Sequence, residues 1–550
     1  MSLSGTTFSL VERREFLSKA SEQQVDLLVV GGGITGAGVA REAALRGLTV
    51  LVVDKGDFAS GTSSRSSKLI HGGVRYLAQG DVSLVREAAR ERAVLRRIAP
   101  HLARPVSMLI PSSSKGVRMK LAAGLWTFDK LAGDANPDRH EVLSRAQTLE
   151  AEPGLKSERL AGAVAFTEFI TDDARLTLET VKSAALSGAW TANYAEVTEI
   201  EEEGERVKVS INDRSSGESA EVRAGVVVNA AGPWFDRVRS MYRPNQPPVT
   251  QLTRGIHLVV PRERLPVSHS VVLRSPDGRS TFVVPRDEFT YIGTTDTHYE
   301  GAPDEPGVSS DDTEYLLASV AATFDEAPTR ADIIGEWSGV RPLLRQEGKK
   351  PSEISRRDEI QVGPGPFVAI AGGKLTTYRK MAERVVDKVF EVARRTDSLP
   401  GASAERALCG GTEPEQRSAR ARAESSGDTR LDDRLWQTYG CAAAALIADF
   451  SRDGAVREYI GEGPGLTVAE VDYAVRHEMA LTVDDVLRRR SHLAMFDSAR
   501  AVSAAEETAR RLAEHFSWDD ARTASEVEDF VSARKWELGT VRGEGPQGRE

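Results

Sequence analysis

Cysteine is almost absent from this chain. Cys409 and Cys441 are the only two among 550 residues, too far apart for a CxxC pair and too few for a thiolate-bound cluster, which points to a reducing cytoplasm. A positive excess is lacking as well. The formal net charge of -10 and pI of about 5.6 exclude a general nucleic-acid binder, because a polyanion partner needs clustered cations, and any basic site must be local. No run is apolar enough to span a bilayer. Residues 1–20, with Glu12, Arg13, Arg14 and Glu15, contain no continuous apolar stretch that would serve as a secretory signal. The expectation is a soluble or peripherally attached protein with no metal site. What is present, 40% hydrophobic and 28% charged residues, suits two or three domains around a large core.

After a polar extension over 1–20, Val25–Val30 reads as a buried parallel strand, since β-branched and leucine side chains dominate it and glycines end it. Helical spacing follows over 34–45, Gly47 suits the helix end, and 49–53 gives a second strand closed by Asp54. This is one βαβ unit. The apolar run Val226–Val228 suggests that further strands return to the same sheet from distant sequence. Short strands dominate 248–296, as in an antiparallel sheet. The chain therefore divides into interleaved cofactor and substrate parts over 21–398, the substrate part mainly 76–150 and 245–335. A loosely packed linker is expected over 399–434, a helical domain over 435–538 (442–450, 468–478, 483–499 and 503–515), and a disordered tail over 539–550.

Gly31, Gly33 and Gly36 hold the GxGxxG spacing between a strand and a helix, where free backbone amides meet a pyrophosphate. Asp54 lies about 20 residues further on, where a carboxylate can hold a ribose hydroxyl pair. The fingerprint specifies a dinucleotide and does not separate FAD from NAD.

The polar, glycine-rich run from Gly61 to Tyr76 is unsuited to a core element. With Gly-Thr-Ser-Ser, Ser-Ser-Lys-Leu-Ile-His-Gly-Gly and Arg-Tyr in order, it resembles the FAD-dependent glycerol-3-phosphate dehydrogenases of the bacterial aerobic type. Asn229–Trp234, Ile292–Asp296, Ser338–Leu343 and Gly372–Arg379 are similar to further blocks of that family. The resemblance implies an α/β Rossmann-like FAD-binding domain, an antiparallel-sheet substrate domain and a helical C-terminal domain. It implies FAD contacts at Gly31, Gly33, Ile34, Thr35, Gly36, Asp54 and Lys55, and along the loop at Thr62, Ser63, Ser64, Ser67, Lys68, Leu69, His71, Gly72 and Gly73. Val197, Ala231, Gly232, Gly373, Lys374, Leu375 and Thr376 complete the expected cofactor set. One departure stands at Asp358, where the pattern suggests histidine or a neutral polar residue.

Oxidising a secondary alcohol needs a hydride acceptor, a base and an anchor for the substrate. His71, followed by glycines that permit close backbone approach, suits the base; His257 is a reserve that also reads as structural. Arg341, in a turn-like block before Pro342, and Arg356 are the phosphate anchors that the resemblance implies, with Arg75 and Tyr76 as weaker candidates. Arg345 and Arg357 read as surface charges. Lys374 opens a helix running to about Ala393, where positive potential stabilises an anionic flavin or alkoxide. An amino-acid or amine oxidase would share the fingerprint, but the Arg341 block argues for phosphate over carboxylate. An oxygen-using glycerol-3-phosphate oxidase differs only in what reoxidises the flavin, and that alternative stays open beside a quinone acceptor. The segment 115–131, read as a helix, groups Val117, Leu121, Leu125 and Phe128 on one side. Its Lys115, Arg118, Lys120 and Lys130 make it positive, as a peripheral contact with anionic lipid on the inner face of the cytoplasmic membrane requires. A homodimer is left open.

Overall fold

The computed structural model describes residues 8–72, 81–132, 139–275, 277–345, 359–411, 425–451 and 454–543. Gly73, Arg75, Tyr76, Arg356, Arg357 and Asp358 lie outside the described residues.

Two sheets organise the first 400 residues or so. In the eight-stranded sheet, Val25–Val30 (β1) is flanked in parallel by Val50–Val53 (β2) and by the distant Ser219–Asn229 (β10). Trp190–Ala192 (β7) extends it beyond β2, and Phe367–Ala371 (β18) beyond β10. Antiparallel partners complete it: Glu359–Val362 (β17) on β18, and the pair Ala195–Glu203 (β8) and Arg206–Asp213 (β9) on the first half of β10. The central strands are buried on both faces, which is why they read as unbroken Val and Leu runs. One face is covered by the Ile34–Leu45 and Tyr378–Val392 helices, the latter burying Met381, Val385, Val386, Val389 and Phe390.

The ten-stranded sheet is mainly antiparallel. Thr250–Pro261 (β11) pairs with Phe289–Gly293 (β14), Thr297–Tyr299 (β15) and Gly335–Leu344 (β16). Ser280–Arg286 (β13) and Ser270–Arg274 (β12) continue it to Arg104–Ser112 (β4), Gly162–Ile170 (β6) and the short Leu69–Ile70 (β3), with Glu141–Ser144 (β5) also on β6. Arg341 is thus a strand residue of β16 and not part of a turn. Pro342 is tolerated because β16 pairs with β11 alone and the missing N–H falls on an edge.

Several segments are more integrated than their composition suggests. The N-terminal extension contains the Leu10–Glu22 helix, whose buried Arg13 forks onto Asp213 at 2.7 and 2.8 Å. The first part of the expected linker is tied down, since Arg41 donates to the carbonyls of Ser403 (3.0 Å) and Arg406 (2.6 Å). The helix expected over 483–499 is broken into Asp485–Arg490, Leu493–Phe496 and the start of Ser498–Phe516. His492 takes a left-handed backbone (φ 60°) there and directs its ring to Asp172. The expected disordered tail begins too early at 539: the Asp520–Arg542 helix runs through Gly539 because Val541 is buried and Arg542 donates to the Ile333 carbonyl.

The C-terminal helices meet the cofactor-side sheet through buried charge. Asp57 receives Arg489 Nε (2.7 Å) and both Arg490 terminal nitrogens (2.7 and 3.0 Å). Glu478 pairs with Arg175 and with Lys182 (3.2 Å). Burial alone would raise both carboxyls, yet the guanidinium and ammonium partners hold Asp57 and Glu478 below the ordinary carboxylate range.

Candidate active site

A cavity of about 1060 Å³ lies between the two sheets. Its cofactor end is shaped by glycine geometry. Gly31 holds φ of 112°, and a Cβ there would lie 2.6 Å from the Ala230 carbonyl oxygen. A Cβ on Gly36 would lie 1.8 Å from the Gly31 carbonyl oxygen, so this third glycine serves close packing and does not face the cavity. Gly33 starts the Ile34–Leu45 helix without a side-chain cap, leaving a helix N-terminus toward the space, while Ile34 N donates to Ser63 Oγ at 2.9 Å. Asp54 accepts from Gly32 N (2.7 Å) and Gly56 N (2.9 Å). Burial pushes its carboxyl up to about 6 against the pull of both amides. This donor-lined turn with an acid at the next strand end fits an FAD pyrophosphate and ribose.

Gly31, Gly33, Ile34, Thr35, Asp54 and Lys55 line the cavity from the βαβ unit. Thr62, Ser63, Ser67, Leu69 and His71 line it from the loop, Val197, Ala231 and Gly232 from the β8 and β10 side. Gly373, Lys374, Leu375 and Thr376 close it from the turn before the Tyr378–Val392 helix. Ser64, Lys68 and Gly72 stand behind this wall. Lys68 is buried and pairs with Asp173 at 2.6 Å and with the Ser64 carbonyl at 3.0 Å, which fixes the loop from below. Gly72 N donates to Glu168 at 2.8 and 3.0 Å, and Glu168 is held by Arg92 at 2.6 Å.

His71 therefore sits between the pinned Lys68 and Gly72, with its own carbonyl accepting from Thr376 Oγ1 at 3.2 Å and its ring centroid 5.5 Å from that of Phe282. Lys374 caps a short 3-10 turn, Leu375–Thr377, ahead of the long helix. Arg341 reaches the same cavity from β16, donating to Thr294 Oγ1 (3.0 Å) and the Thr295 carbonyl (3.2 Å), with Asp296 at 3.5 Å. Its seat depends on Gly255, where a Cβ would lie 2.5 Å from both terminal nitrogens. His257, the reserve base, is interior to β11 and absent from the lining. It stacks on Trp337 at 4.6 Å and shares a hydrogen bond with Ser67 Oγ at 2.9 Å. Burial, then the nearby Arg341 and Lys68 charges, push its pKa well below the ordinary histidine value, so it is a neutral residue behind the wall.

Sequence reasoning assigned no role to Glu168, Phe282 or Thr294–Asp296. The last was visible as a family block; the first two sit in ordinary strand patterns and carry no local signal.

Residues 26–376 match the family described as FAD dependent oxidoreductase, and residues 402–523 match the C-terminal domain of alpha-glycerophosphate oxidase. An aerobic glycerol-3-phosphate dehydrogenase of Bacillus subtilis (strain 168) is 37% identical over 533 residues, covering 93% of this chain and 95% of that one. One from Staphylococcus aureus (strain MRSA252) is 35% identical, covering 95% and 97%. The crystal structure of a glycerol-3-phosphate dehydrogenase from Bacillus halodurans complexed with FAD superposes with a TM-score of 0.79 at 32% identity, covering 98% of this chain and 100% of that one. Glycine oxidase from Geobacillus kaustophilus shares the fold alone, with a TM-score of 0.51, 20% identity and 68% of this chain covered. With the glycine cradle, Asp54 and the loop through His71 assembled on one cavity, the chain belongs to the FAD-dependent oxidoreductases, in the family of the bacterial aerobic glycerol-3-phosphate dehydrogenases.

Proposed function

We propose that this enzyme oxidises sn-glycerol 3-phosphate to dihydroxyacetone phosphate and passes the electrons to a quinone at a membrane surface. The observation that carries the reading is that His71, Lys374 and Arg341 open on the same cavity as the glycine turn. When bound, FAD supplies the two-electron acceptor for the hydride that leaves the carbinol carbon. A ring nitrogen of His71 takes the hydroxyl proton as the C=O bond forms. Arg341 holds the phosphate with a planar fork, and Lys374 places positive charge beside the developing oxyanion. Arg356, Arg75 and Tyr76 join the substrate contacts on the resemblance alone. Anaerobic mixing is the test: glycerol 3-phosphate should bleach the flavin, and a short-chain quinone should restore its colour faster than oxygen. Bleaching by glycine or another amino acid instead would transfer the enzyme to the amine oxidases. Faster recovery with oxygen would make it an oxidase.

The Lys115–Ala132 helix supports the membrane part of the proposal with a changed allocation of faces. Ala122, Leu125 and Phe128 are its buried side, and Lys120, Leu121, Gly124 and Leu125 line the cavity. Val117 is not on that side; with Met119 and Trp126 it is 42 to 61% exposed. Arg118 is unsuited to lipid because it donates to the Leu143 and Ala161 carbonyls, each at 2.9 Å. Exposed apolar side chains beside Lys115 and Lys130 make the outer face suitable for an anionic interface. No helix among the described residues is long and apolar enough to cross a membrane. The protein should float with anionic liposomes, and a Lys115→Glu, Lys130→Glu, Trp126→Ser variant should stay at the bottom of the gradient. Equal flotation of the two proteins would remove this helix as the contact.

A further inference from the structure

Three chain segments that line the cofactor cavity are tied together by a residue outside it. Lys55 directly follows Asp54 at the end of β2. Trp234 ends the turn after β10, and its ring lies 3.0 Å from where a Cβ on Gly61 would stand. Arg65 belongs to the loop that begins at Gly61. All three line the cavity; Asp304 does not. Asp304 lies between β15 and the Ser310–Ala321 helix, on the substrate-sheet side. Its carboxylate accepts from Lys55 Nζ on one oxygen (2.5 Å) and from the Trp234 indole N–H on the other (3.1 Å). Lys55 Nζ also stands 4.1 Å from the Trp234 ring centroid, and Arg65 donates to the Asp304 carbonyl at 3.3 Å. The segment carrying Asp304 is itself held, with Tyr299 donating to the Ala302 carbonyl (2.9 Å) and Arg254 to that of Pro306 (3.3 Å).

We propose that Lys55, Asp304 and Trp234 form a clasp that closes the cofactor cleft between Asp54 and Gly61 and governs how fast FAD leaves. The contacts join the cofactor-side sheet and the flavin loop to the other sheet, so parting the walls here separates Asp304 from its donors. An exposed ion pair contributes little to global stability, and the Asp304 side chain is 55% exposed. The same pair placed across an exit acts on a rate, because opening must break the carboxylate's contacts with an ammonium and an indole together. Lys55 and Asp304 are side chains of ordinary surface type, and only their convergence with Trp234 from three segments marks them.

The test uses the holoenzyme and follows the rise of free FAD fluorescence after dilution. Asp304→Ala should release FAD about 10-fold faster than wild type, the size expected when the carboxylate's ammonium and indole contacts are lost together. Lys55→Met should behave alike, and Asp304→Glu should restore slow release. Added NaCl should speed release from the wild type more than from Asp304→Ala, which lacks the Lys55–Asp304 pair to screen. As a control, Arg223→Ala removes another exposed pair, with Glu203 at 2.8 Å, away from the cavity. Equal release from Asp304→Ala and wild type overturns the clasp. So does equal acceleration by Arg223→Ala, which would reduce the effect to general loosening.

Discussion

His71→Asn is expected to lower the rate of flavin reduction by glycerol 3-phosphate by roughly 100-fold or more, the usual contribution of a positioned base. Asparagine keeps a polar side chain of similar reach but cannot take up the hydroxyl proton. The effect is expected to fall on chemistry because the peptide group that follows the side chain is fixed at both of its polar atoms: Gly72 N is bound to Glu168, and the His71 carbonyl accepts from Thr376. Anaerobic stopped-flow bleaching measures it directly. An unchanged rate would hand the proton to Lys374 or to water. His257 is a poor substitute, since it is interior to β11, stacked on Trp337 and engaged with Ser67.

Arg341→Lys is expected to raise KM for glycerol 3-phosphate by about 10- to 100-fold, the loss of a charge-assisted hydrogen bond being about 1.5–3 kcal/mol, while FAD content should stay at the wild-type level. The guanidinium sets both terminal nitrogens against Gly255 and is steered by Thr294 Oγ1 and the Thr295 carbonyl. A lysine ammonium is a point charge without a fork, and it cannot keep both of those contacts and still present two donors to a phosphate. Steady-state kinetics with glycerol 3-phosphate, set beside flavin absorbance per protein, provide the measurement. A wild-type KM would place the phosphate anchor on another residue.

What could be read from the sequence was what is encoded locally. The β1 run, the glycine turn, Asp54 and the apolar stripe of the Tyr378–Val392 helix each declare themselves within a short window, because strand and helix periods and positive φ are local constraints. Other features depend on partners far along the chain. β10 pairs with β1 across almost 200 residues, and β16 reads as a turn around Arg341-Pro342 until β11 is laid beside it. Arg118 reads as a lipid-facing cation on a helical wheel, yet two carbonyls from the neighbouring β5 and β6 region claim it. The same holds for Glu168, whose role rests on Gly72 and Arg92, and for His492, whose left-handed backbone breaks a helix to reach Asp172. Pattern specifies which elements exist; the polar partners that bend and anchor them are settled only when the sheets meet.

The ionic seam between the C-terminal helices and the cofactor-side sheet makes each part of the chain a poor candidate for engineering without the other. Glycine oxidase from Geobacillus kaustophilus shares the fold over 68% of this chain. In this protein, Asp57, Asp172 and Arg175 are sealed beneath Arg489, Arg490, His492 and Glu478. Leaving one such charge without its counterpart costs about 3–5 kcal/mol, a large share of the stability of a whole domain. A shortened enzyme made by cutting before the helices would have to be rewritten at those inner positions with apolar side chains. For the same reason, a recombinant that joins the front of one relative to the back of another succeeds only when the acids and bases along the seam are inherited as a set.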